Sequence, residues 1–91
     1  MQWGDEYRQL HSVIYRQCVE VLQPGGLVLL NMKDHRRSGV WQYVTEWHLE
    51  ALRIAGLRFV TAERIDVPGH GHGQNLHDRI DFETLLILRK P

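Results

Sequence analysis

Three features of the chain predict an α/β fold. LVLLNM (27–32) is apolar at nearly every position and FETLLILRK (82–90) is apolar on both faces, and short continuous apolar runs suit strands covered on both faces. Two other segments carry apolar residues at steps of three and four, the spacing of one face of a helix. Pro24-Gly25-Gly26 and Gly56 fall where such helices must stop. The predicted element order is α-β-α-β-β.

The first helix is expected over residues 5–22, with Asp5 as N-cap and an apolar face of Tyr7, Leu10, Ile14, Cys18 and Val21. The strand 27–32 follows the Pro-Gly-Gly turn. DHRRSG (34–39) reads as a polar loop, with Ser38 available to cap a second helix over residues 40–55. Trp41, Val44, His48, Ala51, Leu52 and Ala55 share one side of that helix, and Gly56 suits its C′ position. LRFVTAERIDV (57–67) mixes β-branched residues with alternating charge and is expected as a half-exposed edge strand. PGHGHGQNLHDR (68–79) is a loop by composition.

A right-handed crossover would set the 57–67 strand parallel to the first. The last strand can then slot between them. The expected sheet is three-stranded and mixed, in the order first, third, second, with the last strand antiparallel and central.

Ninety-one residues make one domain, 1–91, with a hydrophobic content of 43% that allows a core. A chain of this size buries only about 60–65% of its unfolded surface, so modest stability is expected. Eleven basic and eleven acidic residues cancel, which removes overall positive charge as an argument for nucleic-acid binding and leaves room for a local patch. Cys18 is the sole cysteine, so no intramolecular disulfide forms, and its apolar neighbours suit a buried, inert thiol. No apolar run approaches the ~20 residues of a membrane span, and MQWGDEYRQ is not a signal peptide, so a cytoplasmic protein is the default expectation.

Asn31, Lys33, Asp34 and His35 stand at the C-terminal end of the first strand, the end where open α/β sheets bind ligands. A strand that simply ends in a solvated turn is the competing reading. Arg36 and Arg37 join Lys33 and His35 in the one dense basic cluster, which suits phosphate contacts or plain solvation. His70, His72 and His77 share a glycine-rich loop. A metal would need three or four converging ligands, and this spacing, with no cysteine nearby, speaks against one. The glycines do not lie between a strand and a helix, so they do not form a phosphate cradle. Trp41, Trp47 and His48 read as packing residues, and His11 as a surface or boundary residue.

Taken together, these segments resemble the C-terminal half of a class I, Rossmann-like, S-adenosylmethionine-dependent methyltransferase, whose signature is an inserted antiparallel last strand. QWGDEYRQLH, VLQPGGLVLLNMKDHRRSG, VTEWHLEAL, and PGHGHGQN followed by RIDFETLLILRKP are similar to bacterial and phage DNA methylases of the N4-cytosine or N6-adenine type. The resemblance covers essentially the whole chain. LQPGG is shared by many methyltransferases, whereas NMKDH combined with WGDEYR is more specific.

The resemblance implies S-adenosylmethionine as donor in the intact family. It places Asn31, Lys33, Asp34 and His35 beside the pocket for a flipped target base. It also makes the 68–79 loop a DNA-contacting segment, with His72 and Asn75 as the contact residues. The family's glycine-rich cofactor turn, the acidic residue after its second strand and its Pro-Pro-Tyr or Pro-Pro-Phe tetrapeptide do not occur here. The implied reading is a fragment that starts just past the catalytic loop, with no catalytic, cofactor-binding or metal-binding residues of its own. Its expected partner is a second copy, through the exposed sheet edge or the first helix, hiding Leu27, Leu29 and the apolar face of residues 7–21. The rivals are a separately encoded N-terminal half and a non-catalytic regulatory module. DNA binding would be weak, and no membrane is involved.

Overall fold

The computed structural model describes residues 4–66 and 82–91. Its elements are α1 (Asp5–Val21), β1 (Leu27–Met32), β2 (His35–Arg37), β3 (Val40–Gln42), α2 (Val44–Ile54), β4 (Arg58–Asp66) and β5 (Phe82–Arg89). Gly4, not Asp5, is the N-cap of α1, and Asp5 and Glu6 lie in the first turn, where carboxylates favour the helix dipole.

The main sheet has the order β1-β5-β4, with β5 central and antiparallel to both neighbours. This is the expected strand order, but every neighbouring pair is antiparallel, so the sheet is antiparallel rather than mixed: the central strand separates the two parallel ones. Leu86 and Leu88 of β5 are buried, and their partners Leu30 and Val28 lie on the same face. Both helices pack on that face, in a core of Tyr15, Ala51, Leu52, Leu57, Leu86 and Leu88. Leu27 and Leu29 point to the other face and are 47% and 59% exposed. The expectation that β1 is covered on both faces is therefore corrected. Among the described residues it is an edge strand covered on one face, because both helices pack on the same side.

A second correction concerns α1. Leu10, Ile14 and Val21 are exposed, as is Cys18, while Tyr15 is buried and Tyr7, His11, Val19 and Leu22 are half-buried beside it. The helix carries two stripes, and the polar-aromatic one faces α2. Hydrophobicity alone selects the other stripe because it gives no credit for hydroxyl–imidazole pairing.

The segment expected as a polar loop is a β-hairpin. Arg37 pairs with Val40 across a two-residue turn in which Ser38 and Gly39 have φ of 52° and 80°, and two positive φ values match the twist of paired strands. Ser38 is thus a turn residue rather than a cap. Trp41 belongs to β3, and α2 starts at Val44 instead of residue 40.

The two helix stops are as expected and more fully bonded than composition suggests. Gly56 has φ +117°; its N–H donates to Arg53 O at 3.0 Å and that of Leu57 to Leu52 O at 3.2 Å, the paired bonds of a Schellman motif. After α1, Gly25 takes φ +83° and donates to Lys90 O at 2.7 Å, while Lys90 N–H donates to Gly26 O at 2.9 Å. The Lys90 ammonium also donates to Val19 O at 2.6 Å and Leu22 O at 2.7 Å, satisfying carbonyls at the end of α1.

Candidate functional site

β1 and β4 end, and β5 begins, at one end of the sheet, and the β2–β3 hairpin lies there. Asp34 fixes the hairpin in place. One carboxylate oxygen accepts from Trp41 Nε1 at 2.8 Å, and the other accepts from the Thr45 backbone N–H at 2.7 Å. Thr45 is the second residue of α2, so Asp34 caps that helix from outside it. No side chain of the N-cap residue Tyr43 performs that task.

Trp41 is the centre of an aromatic and cationic row. The Arg36 guanidinium lies 5.3 Å from its ring centroid, and the Phe82 ring is 6.2 Å away on β5. Arg64 on β4 covers Phe82 at 4.2 Å, within the range of a cation–π contact. Tyr43 lies 6.4 Å from Trp41 and is 60% exposed. Arg37 and Lys33 are exposed beside this row. The chemistry on offer is a set of cations for phosphate oxygens next to flat rings.

The remaining candidates are placed differently. Asn31 is on the uncovered face of β1 and donates to Glu83 Oε2 at 2.8 Å. His35 is half-buried in β2, and its Nδ1 is shielded from solvent without a hydrogen-bond partner among the described residues. Asp34 is occupied by structural bonds. His72 and Asn75 lie outside the described residues, as do His70 and His77. The structure thus brings Lys33, Asp34, His35, Arg36 and Arg37 together at one strand end and separates Asn31 from them by face.

A second polar cluster lies between the helices. His48 of α2 is 1% exposed, with the Tyr7 hydroxyl 2.9 Å from Nε2 and the Tyr15 hydroxyl 2.5 Å from Nδ1. A neutral ring fits this pair, donating from one nitrogen and accepting at the other. His11 donates from Nδ1 to the Tyr7 carbonyl at 2.8 Å, and its ring centroid is 5.2 Å from that of His48. Burial, with a smaller contribution from His11, pushes the His48 pKa down to about 4. Burial also pushes Tyr15 up to about 12, with Tyr7 and Cys18 adding to the shift, and it raises Tyr7. All three groups are neutral near pH 7, so the cluster is a poor base and a sound packing element. Spacing of Tyr7, His11 and Tyr15 by four residues was the available sequence signal for it.

No family model matches the chain, and no curated protein matches it. Solved structures do. The chain superposes on a selenomethionine crystal structure of a "putative DNA modification methylase" from Thermus thermophilus with a TM-score of 0.76 at 17% identity, covering 96% of this chain and 38% of that one. Against that protein complexed with S-adenosyl-L-methionine, the TM-score is 0.76 at 16% identity, covering 100% of this chain and 42% of that one. The fold is therefore methylase-like, and the chain spans about two fifths of the chains it matches.

Of the described strand-end carboxylates, Asp34 does not fit the ribose of S-adenosylmethionine. A ribose-binding site needs a free carboxylate at a strand end beside a glycine-rich turn. Asp34 has both oxygens committed, and Asp66, at the end of β4, accepts from Arg64 Nε at 2.9 Å. No helix among the described residues is long and apolar enough to cross a membrane.

Proposed function

We propose that this chain is the C-terminal part of an S-adenosylmethionine-dependent DNA methyltransferase of the amino-methylating, N4-cytosine or N6-adenine type, and that it does not catalyse transfer by itself. The observation that carries this reading is the superposition of essentially the whole chain on two fifths of a methylase chain. Transfer requires a bound donor in line with a polarised amine, and the chain offers neither the donor site nor the Pro-Pro-aromatic loop. Its own contribution is one wall of the site. Lys33, Arg36 and Arg37 take phosphates, His35 and the Trp41 row lie beside them, and Asp34 holds the hairpin at the angle that presents them. Asn31, His72 and Asn75 complete the set of candidate contacts.

Fluorescence anisotropy with a labelled DNA duplex tests this. Binding by the isolated chain should be weak, tolerant of sequence and steeply salt-dependent. Replacing Arg36 and Arg37 by alanine should flatten the log–log salt slope by up to about two. An unchanged slope removes the hairpin from the DNA contact, and no binding at low salt removes DNA from the isolated chain's functions.

A non-catalytic module, or one half of a split enzyme, is the second reading, and the outward apolar stripe of α1 favours it: Leu10 and Val21 are 57% and 84% exposed. A neighbouring reading frame with a glycine-rich turn and a Pro-Pro-Tyr motif would support the split enzyme over the module.

A further inference from the structure

The uncovered face of the main sheet has a charge and polarity pattern that follows from its register. Because directly paired residues share a face, this surface comprises alternate residues of each strand. Leu27 of β1 lines up with Arg89 and Arg58, and Leu29 lines up with Ile87 and Thr61. Further along, Asn31 lines up with Leu85 and Glu63, and then Glu83 with Ile65. Two arginines therefore mark one end, two glutamates the other, and leucine and isoleucine the middle.

We propose that this face binds a second copy of the chain about a two-fold axis that lies between the sheets and runs across the strands. The rotation reverses strand direction while keeping each strand over its own copy. Arg89 is then brought over the partner's Glu83, and Ile87 over the partner's Leu85. An interface of this kind is self-complementary, as a closed dimer requires, and each ion pair occurs twice. The chain's zero net charge adds no long-range repulsion between copies. α1 and α2 lie on the other side of the sheet and take no part.

The patch also sets the strength. Three strands about 4.8 Å apart, four rows deep at about 6.8 Å per row, give roughly 14 Å by 27 Å. That is well below the ~800 Å² per partner of a standard interface, so a Kd on the order of 100 µM is expected.

Sedimentation equilibrium on the full 91-residue chain, from about 10 to about 500 µM, reads this directly. The average mass should rise from 10.7 kDa toward twice that value. Leu29→Glu, at a position 59% exposed, should keep the circular dichroism of the parent and weaken the dimer at least about tenfold. Arg89→Glu and Glu83→Arg should each weaken it, and the double swap should restore it. A chain that stays monomeric throughout overturns the proposal and leaves the remainder of a longer methylase-like fold as the occupant. A dimer indifferent to the charge swaps also overturns it, because pairing along the β1 edge or through α1 would not sense β5 charges. Neither result bears on whether the hairpin contacts DNA.

Discussion

A histidine enclosed by two phenol hydroxyls stores pH sensitivity in the body of the fold. The folded-state pKa of His48, about 4, lies below its ordinary value of 6.5, so the unfolded chain takes up the proton first as pH falls. The stability contributed by the neutral ring is therefore fully present above about pH 6.5 and is lost progressively toward pH 4, by at most about 3 kcal/mol. Ring-nitrogen NMR should find His48 neutral at pH 5, and denaturant titrations should find the chain less stable at pH 4.5 than at pH 7. A His48 midpoint near 6.5 would sink this account. Tyr15→Phe removes the hydroxyl beside Nδ1 and leaves a buried nitrogen without that partner, so a loss of about 1–3 kcal/mol is expected from urea denaturation. The cluster was half-legible in the sequence. His48 reads there as a packing residue, and it is one, but of its two partners only Tyr7 lies on the apolar face that spacing selects, and Tyr15 lies off it. A scale that ranks side chains one at a time does not see a hydroxyl and an imidazole as a matched pair.

Elements here are fixed by bonds that reach across the chain. A Cβ at Gly26 would lie 2.9 Å from both Gln23 O and Leu22 Cγ, closer than either can yield without moving the turn. Gly26→Ala should therefore destabilise by about 1–3 kcal/mol, read as a shifted denaturation midpoint at unchanged m value. Asp34→Ala would free Trp41 Nε1 and the Thr45 N–H together, at about 1–2 kcal/mol. It should also change tryptophan fluorescence as the hairpin loosens, whereas an unaltered spectrum would show that the β2–β3 pairing holds the hairpin unaided. Strand order, both helix stops and the apolar central strand were legible, because turn residues and continuous apolar runs report local and burial requirements directly. The hairpin was not. Its strands are three residues each, HRR and VWQ, too short for alternation to register, and only Ser38-Gly39 between them hints at a tight turn. A continuous apolar run is equally silent about how many of its faces are covered, which is why β1 reads as covered on both.

For the whole molecule, the decisive relation is between the extent of the fold and the extent of the activity. The chain aligns along 96–100% of its own length with structures of which it accounts for 38–42%, so the matched fold includes a larger portion that this sequence does not contain. A sheet and two helices can be stable without that portion, because Leu52, Leu86 and Leu88 are at most 1% exposed and form one closed core. Cofactor binding is different. It needs backbone amides of a glycine-rich turn and a free strand-end carboxylate held at one spacing, and Asp34, at the end of β1, has both oxygens bonded, to Trp41 and Thr45, while Asp66, at the end of β4, gives one oxygen to Arg64. Releasing Asp34 would undock the hairpin that carries Arg36 and Arg37, so under the proposed function a ribose bound at Asp34 would compete with the cations of the hairpin. Isothermal titration of the chain with S-adenosylmethionine at roughly millimolar concentration should accordingly give only heats of dilution. Saturable heat at one-to-one stoichiometry would mean that a donor site exists within these 91 residues and that Asp34 exchanges partners to form it.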